Sequence, residues 1–253
     1  RDWSSDVCSF RSATNSQGIT TIVIGQDGES EIMDSIRSFL KRKPVAVNIA
    51  TYTGHSTLRE KVLGLSNLNR PATLGEQHRM QTMLAAEMKK GSLGLSTGLE
   101  YEAAFFSSTD EVVALAKTAA RYQGSYTSHI RSEDVTLDAA INELLYIGKV
   151  TSMPIHFSHI KIGLKDKWGQ SSSILKRLDS ARSAGIRITA DVYPYDFWSS
   201  TLKVLFPDKN YSNIASAQFA IEHLFDPRQS VLVRSEEHTS ELQSRFGISY
   251  AVF

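Results

Sequence analysis

The chain has 253 residues, 28 Lys+Arg against 27 Asp+Glu, and a formal net charge of +1. That balance gives no electrostatic case for a nucleic-acid or anionic-membrane partner, and no apolar run approaches the ~20 residues of a membrane span. A single cysteine, Cys8, excludes an internal disulfide framework and a Cys-rich zinc site and fits a cytoplasmic address.

Thr20 to Gly25 is a short β-branched run ending in glycine, which predicts a buried strand. Glu29 to Leu40 spaces Ile32, Ile36 and Leu40 at helical intervals, and Val45 to Ala50, after Pro44, reads as a second strand. Thr73 and Glu76 stand at capping-box spacing before a helix through Met80, Met83, Leu84 and Met88. Lys89, Lys90 and Gly91 close it, cations at the negative dipole end and a glycine for the left-handed cap. Leu93 to Thr97 is the third strand. Ser108 and Glu111 repeat the capping-box spacing ahead of the apolar stripe Val112, Leu115, Ala116 and Ala119. Ser125 to Ser128 is a strand, Leu137 to Ile147 a helix closed by Gly148, and Pro154 to Ser158 the next strand. Ile174, Leu175, Leu178 and Ala181 mark a helix ending at Gly185, and Ile186 to Val192 is a sixth strand.

Strand ends fall near Gly25, Ala50, Thr97, His129, His159 and Asp191, and three of the five gaps span 30 to 32 residues, one βα unit. Alternating strands and helices predict a parallel sheet with right-handed crossovers. The α/β pattern fits a partial (β/α)8 barrel of about six units, with an open doubly wound sheet as the alternative. Gly25-Gln-Asp-Gly28 lacks the third glycine of a dinucleotide fingerprint, which favours the barrel. Six units leave apolar strand edges open, so the isolated chain is expected to aggregate.

The ends read differently from the middle. Arg234-Ser-Glu-Glu-His-Thr-Ser-Glu-Leu-Gln-Ser244 is polar and without period, and it resembles the translation of a sequencing-adapter oligonucleotide. Arg1-Asp-Trp-Ser-Ser-Asp-Val-Cys-Ser9 has the same character; natural disordered tails are the alternative. The expected organisation is therefore a non-native tail over 1–16, a partial barrel domain over 17–233 and a second non-native tail over 234–253. Cys8 and His238 then fall outside the native protein.

Barrel chemistry sits at the carboxyl ends of strands, and there the sequence places Asp27, Thr97, His129, His159 and Asp191. Ser128-His-Ile-Arg131 and Ser158-His-Ile-Lys161 are near-identical settings one βα unit apart, so two imidazoles can share one mouth. That pairing favours a metal site over two unrelated histidines. Asp27 reads either as an oxygen ligand or as a turn residue of an Asp-Gly pair. Arg131 and Lys161 suit a substrate carboxylate or a structural salt bridge. Tyr101, Tyr193 and Tyr195 read as pocket or core residues. His156 is expected on the helix side, and His55, His78 and His223 in loops or on the surface.

Gly91-Ser-Leu-Gly-Leu-Ser-Thr-Gly-Leu-Glu-Tyr101, Gly54-His-Ser-Thr-Leu-Arg59, Ser158-His-Ile-Lys161 and Asp191-Val-Tyr-Pro-Tyr195, in this order, resemble the N-acyl-D-amino-acid deacylases of the metal-dependent amidohydrolase superfamily. The resemblance implies a zinc-dependent barrel, with one or two ions in the parent protein, that hydrolyses N-acylated D-amino acids. It puts two metal-binding histidines on His129 and His159, the lysine on Lys161 and pocket tyrosines on Tyr101 and Tyr193. Where relatives carry a metal-binding cysteine in Gly-Asn-Cys-Gly, this chain has Gly25-Gln-Asp-Gly28, an oxygen donor for a thiolate. The family's early His-x-His pair and its late catalytic aspartate have no match, and Asp191 does not substitute for the latter. The parent protein is therefore expected to be a deacylase and this polypeptide alone to have little or no activity. Two other readings stay open: another amidohydrolase, of cyclic-amidase or dipeptidase type, and a non-catalytic metal- or ligand-binding module.

Overall fold

The structure, a computed structural model, describes residues 14–195, 197–234 and 249–252. Its centre is a run of parallel strands: β1 (Thr21–Ile24), β2 (Asn48–Thr51), β3 (Thr53–Gly54), β4 (Gly94–Gly98), β5 (Ser125–His129), β6 (Ile155–Phe157) and β7 (Ile188–Ala190). β2 and β3 form one extended segment interrupted at Tyr52. β2 pairs with β1, whereas β3 opens a five-stranded sheet in the order β3-β4-β5-β6-β7. The six predicted strands are all present. Helices α1 (Met33–Arg42), α2 (His55–Leu63), α3 (Leu74–Lys89), α4 (Glu102–Phe105), α5 (Thr109–Ala120), α6 (Leu137–Thr151) and α7 (Ser171–Ser183) fill the crossovers, which makes a partial (β/α)8 barrel.

Register explains which face is buried. Leu95, Tyr126, Ile155 and Ile188 lie side by side across four strands, all buried against the helices with Leu84, Leu115, Ile141, Leu144 and Leu178. Burying each such side chain is worth about 1.5–3 kcal/mol. The next row, Ser96, Thr127, His156 and Thr189, faces the other way, into the barrel interior. His156 is therefore not on the helix side as its sequence context suggested; its imidazole meets Thr189 Oγ1 at 2.8 Å and Asp191 Oδ1 at 3.1 Å. With the barrel open at β7, that interior row is partly solvated, which is why a polar residue sits there.

Local chemistry shapes the helices. Thr73 and Glu76 make the predicted capping box on α3. On α5 only half of the box forms: Ser108 Oγ accepts from Glu111 N–H at 3.2 Å, but the Glu111 carboxylate turns inward to His55 and Arg59 instead. His55 is accordingly fully buried rather than on a surface loop. Gly148 does not end α6, which runs to Thr151 with Ser152 in the left-handed cap. A Cβ on Gly148 would stand 2.6 Å from Ile155 Cδ1, so the glycine lets the helix approach β6.

A smaller unit follows: β8 (Ser199–Thr201), α8 (Ile214–Phe219), β9 (Val231–Arg234) and β10 (Ser249–Val252), the strands forming an antiparallel sheet in the order β8-β10-β9. Leu205, Ala220 and Leu224 form its own small core. The segments expected to be non-native lie mostly outside the described residues, Cys8 and His238 among them. No helix among the described residues is long and apolar enough to cross a membrane.

Candidate metal centre

β1 hands the chain to a turn in which Gly25, Asp27 and Gly28 have φ of 79°, 55° and 85°. Aspartate is one of the few side chains that tolerates such backbone. The turn is pressed flat on the neighbouring strand ends. A Cβ on Gly98 would lie 2.1 Å from the Asp27 carbonyl oxygen, and one on Gly54 2.2 Å from that of Gly28. Gly28 N–H donates to Ser96 Oγ at 3.3 Å and Thr57 N–H to Gly28 O at 3.2 Å. This fit of backbone on backbone holds Asp27 over the barrel mouth.

His129 ends β5, buried, on the interior face with Thr127. His159 would point outward by strand alternation, since Ser158 Oγ already meets Thr127 Oγ1 on the inside at 2.9 Å. A left-handed backbone (φ 39°) swings it inward, and Asp191 Oδ1 secures the turn by accepting His159 N–H at 2.6 Å. The inner ring nitrogens then face each other: His129 Nδ1 and His159 Nε2 are 3.1 Å apart, and Asp27 Oδ1 is 3.6 Å from His159 Nε2. Asp27 Oδ1 is buried without a hydrogen-bond partner. Asp27, His129 and His159 each offer one ligand atom within 4.8 Å of the others.

Two carboxylates hold the outer nitrogens. Glu100 Oε2 lies 2.8 Å from His129 Nε2, and Glu133 Oε1 lies 3.2 Å from His159 Nδ1. Lys161 Nζ reaches both Glu133 oxygens at 2.6 Å and stands 2.9 Å from His159 Nδ1. The Tyr101 hydroxyl is 3.2 Å from His129 Nδ1, and Tyr193 borders the site with its ring centroid 6.5 Å from that of His159.

The charges follow from this packing. Burial pulls the His159 imidazole down, but the Asp27 and Glu133 carboxylates outweigh it and push it up to about 9. Burial likewise opposes ionisation of Glu133 and Asp27, yet His129, Lys161 and His159 hold Glu133 at about 2, and the two imidazoles leave Asp27 below its ordinary value. Glu100 lacks a cation of that strength, so burial wins and its carboxyl is raised. Burial pushes Tyr101 well above the usual phenol range and Tyr193 up to about 12.

Of the residues singled out from sequence, Asp27, His129, His159, Lys161 and Tyr101 converge, and Tyr193 lies at the edge. Arg131 does not join them. Its guanidinium forks onto Glu143 of α6 at 2.8 Å on each arm and donates to Phe105 O at 2.9 Å, a structural tie on the helix side. Glu100 and Glu133 went unnoticed in sequence. Glu133 is four residues after His129, and Glu100 immediately precedes Tyr101 in the most distinctive segment of the chain.

No family model matches the chain. It is 32% identical over 220 residues to the N-acyl-D-glutamate deacylase of Alcaligenes xylosoxydans xylosoxydans, covering 77% of this chain and 43% of that protein. The crystal structure of N-acyl-D-glutamate deacylase from Bordetella bronchiseptica, complexed with zinc and a phosphonate inhibitor, superposes with a TM-score of 0.71 at 31% identity over 78% of this chain and 47% of that one. A D-aminoacylase structure superposes with a TM-score of 0.74 at 24% identity over 94% of this chain and 55% of its own length, a likeness of fold. The chain thus spans about half the length of the proteins it matches.

Proposed function

The chain is homologous to the N-acyl-D-amino-acid deacylases of the amidohydrolase superfamily, and from that premise we propose that its parent protein hydrolyses the amide bond of N-acylated D-amino acids with a zinc ion at this centre. One observation carries the reading: Asp27 Oδ1, buried and unpartnered, faces two imidazole nitrogens that face each other. Asp27 Oδ1, His129 Nδ1 and His159 Nε2 together suit a divalent cation, which would displace the proton that the neighbouring carboxylates hold on His159. An Asp-His-His set also fits zinc chemistry, harder than the cysteine-containing set that the family resemblance implies but within its range.

In this reading Asp27, His129 and His159 hold the ion. A zinc ion held there would supply Lewis acidity for an amide carbonyl and for water near neutral pH. Lys161 Nζ, held between both Glu133 oxygens and His159 Nδ1, presents its positive charge to the substrate carboxylate. Tyr101, a phenol held protonated by burial, would turn its O–H from His129 Nδ1 to the acyl group once Nδ1 holds the ion, while the Tyr193 ring covers Lys161 at 5.9 Å. The family resemblance places the aspartate general base beyond Val233. The test has two parts. Zinc in the purified chain should be stoichiometric and lost in His129→Ala and His159→Ala; unchanged metal defeats the site. The parent protein should cleave N-acetyl-D-amino acids in preference to their L-isomers and to hydantoins, and a preference for hydantoins would move it to the cyclic amidases.

A further inference from the structure

We infer that Glu100 is the positioning residue for His129: its buried carboxylate fixes the imidazole with the proton on Nε2, so that the Nδ1 lone pair faces Asp27 and His159. The inference rests on the zinc reading and assigns a role that the ligand set alone does not. Three contacts agree on it. The first is the short one, Glu100 Oε2 to His129 Nε2 at 2.8 Å, between side chains only 5% and 3% exposed. The second lies across the ring, where the Tyr101 hydroxyl stands 3.2 Å from Nδ1. With the Glu100 carboxylate accepting at Nε2, the phenol takes the donor role and Nδ1 is the acceptor, the same tautomer from the other side of the ring. The third anchors the carboxylate itself: Glu100 Oε1 accepts Glu133 N–H at 3.4 Å, which ties Glu100 to the loop that follows His129. With both oxygens engaged, the carboxylate is the fixed partner and the imidazole the oriented one. The hydrogen bond on one ring nitrogen decides which nitrogen is left for a metal, and removing such an outer partner weakens metal binding about 10–100-fold.

The competing assignment makes Glu100 a ligand, because Glu100, His129 and Glu133 also bring ligand atoms within 4.8 Å of one another. The contacts argue against it. The two carboxylates sit on opposite nitrogens of the same ring, Glu100 at Nε2 and Glu133 3.8 Å from Nδ1, and Glu133 is already neutralised by Lys161.

Zinc affinity, measured by competition with a chromophoric chelator, and long-range proton–nitrogen NMR of the zinc-loaded chain test the assignment together. The expected spectrum shows His129 with the metal on Nδ1 and the proton on Nε2. Glu100→Leu should bind one equivalent of zinc about 10–100-fold more weakly, whereas Glu100→Gln, which keeps an acceptor oxygen, should stay within a few-fold of the parent. Zinc on Nε2, undiminished affinity in Glu100→Leu, or loss of a second equivalent with the first intact would each overturn the role while leaving the zinc site standing. If Glu100→Leu does not fold, the His129 Nε2–H resonance in Glu100→Gln decides: its disappearance into solvent exchange counts against the clamp. A wild-type chain that binds no zinc overturns both readings.

Discussion

Two buried ionic clusters in this molecule each join carboxylates, imidazole and a basic side chain, and they are wired in opposite ways. Beneath α2 and α5, Glu111 Oε1 accepts from His55 Nε2 at 2.9 Å and from Arg59 at 2.6 Å, and Oε2 accepts Ala72 N–H at 3.0 Å. The other Arg59 donors end on the carbonyls of Ala103, Leu68 and Arg70. One acceptor is left over, His55 Nδ1, and it stands alone. At the barrel mouth the left-over acceptor is Asp27 Oδ1, and two imidazole nitrogens share its space. A closed cluster consumes its charges internally and serves stability. In the proposed zinc reading the mouth is completed by a cation that takes the place of the His159 proton, and the strongly shifted groups there mark it as the candidate site.

The contrast can be broken at either end. Arg59→Ala leaves Glu111 charged and buried without its main partner, and unfolding in urea should show a loss of about 3–5 kcal/mol; His159→Ala should cost far less while removing zinc. Equal losses of zinc in the two variants would show that the clusters are not independent. The pH dependence comes next in size. Glu111 is held at about 2 against an ordinary 4.5, because the His55 and Arg59 donors outweigh its burial. A depressed carboxylate stabilises the fold above about 4.5, and the contribution is lost as pH falls toward about 2, roughly 3 kcal/mol at most. Burial also holds His55 below 6.5, so protonation of the unfolded chain starts the decline earlier. Acid unfolding should be shallower in Glu111→Gln, and an unchanged profile would detach this cluster from acid stability. Gly98→Ala should be smaller in stability but visible in metal, since its Cβ must push the Asp27 carbonyl away; a chelator titration should show zinc weakened by about tenfold or more, as for loss of a ligand's support. The smallest effect belongs to Arg131→Gln, which should lower stability by about 1 kcal/mol through the Glu143 pair and leave zinc affinity unchanged.

Elements governed by local pattern were legible in the sequence, and contacts between distant residues were not. The six strands follow from short runs that alternate with helically spaced segments, three of the gaps at one βα unit, and His129 and His159 from their matched settings at strand ends. The burial of His55 depends on Glu111, 56 residues away, and no local feature announces that pairing. The helix-side expectation for His156 follows from its sharing the parity of Ser158 rather than His159, and it fails because Ser158, not His159, keeps to the strand alternation on the interior face. His159 reaches the mouth through one left-handed residue, a departure from alternation that periodicity cannot express. Arg131 shares its spacing with Lys161 but is captured by Glu143 on α6, whereas Lys161 finds its carboxylate, Glu133, inside the mouth.

The interruption at Tyr52 has a mechanical corollary. Asp27 hangs from β1, which among the described residues pairs only with β2, while His129 and His159 hang from the five-stranded sheet on the far side of the break. An ion gripped by all three would act as a rivet across a seam. By mass action, an ion at 100 times its dissociation constant would tighten that seam by about 2.7 kcal/mol. Hydrogen exchange over residues 20–52 would then slow as the ion concentration rises, turning the first strands of the chain into a gauge of its metal supply.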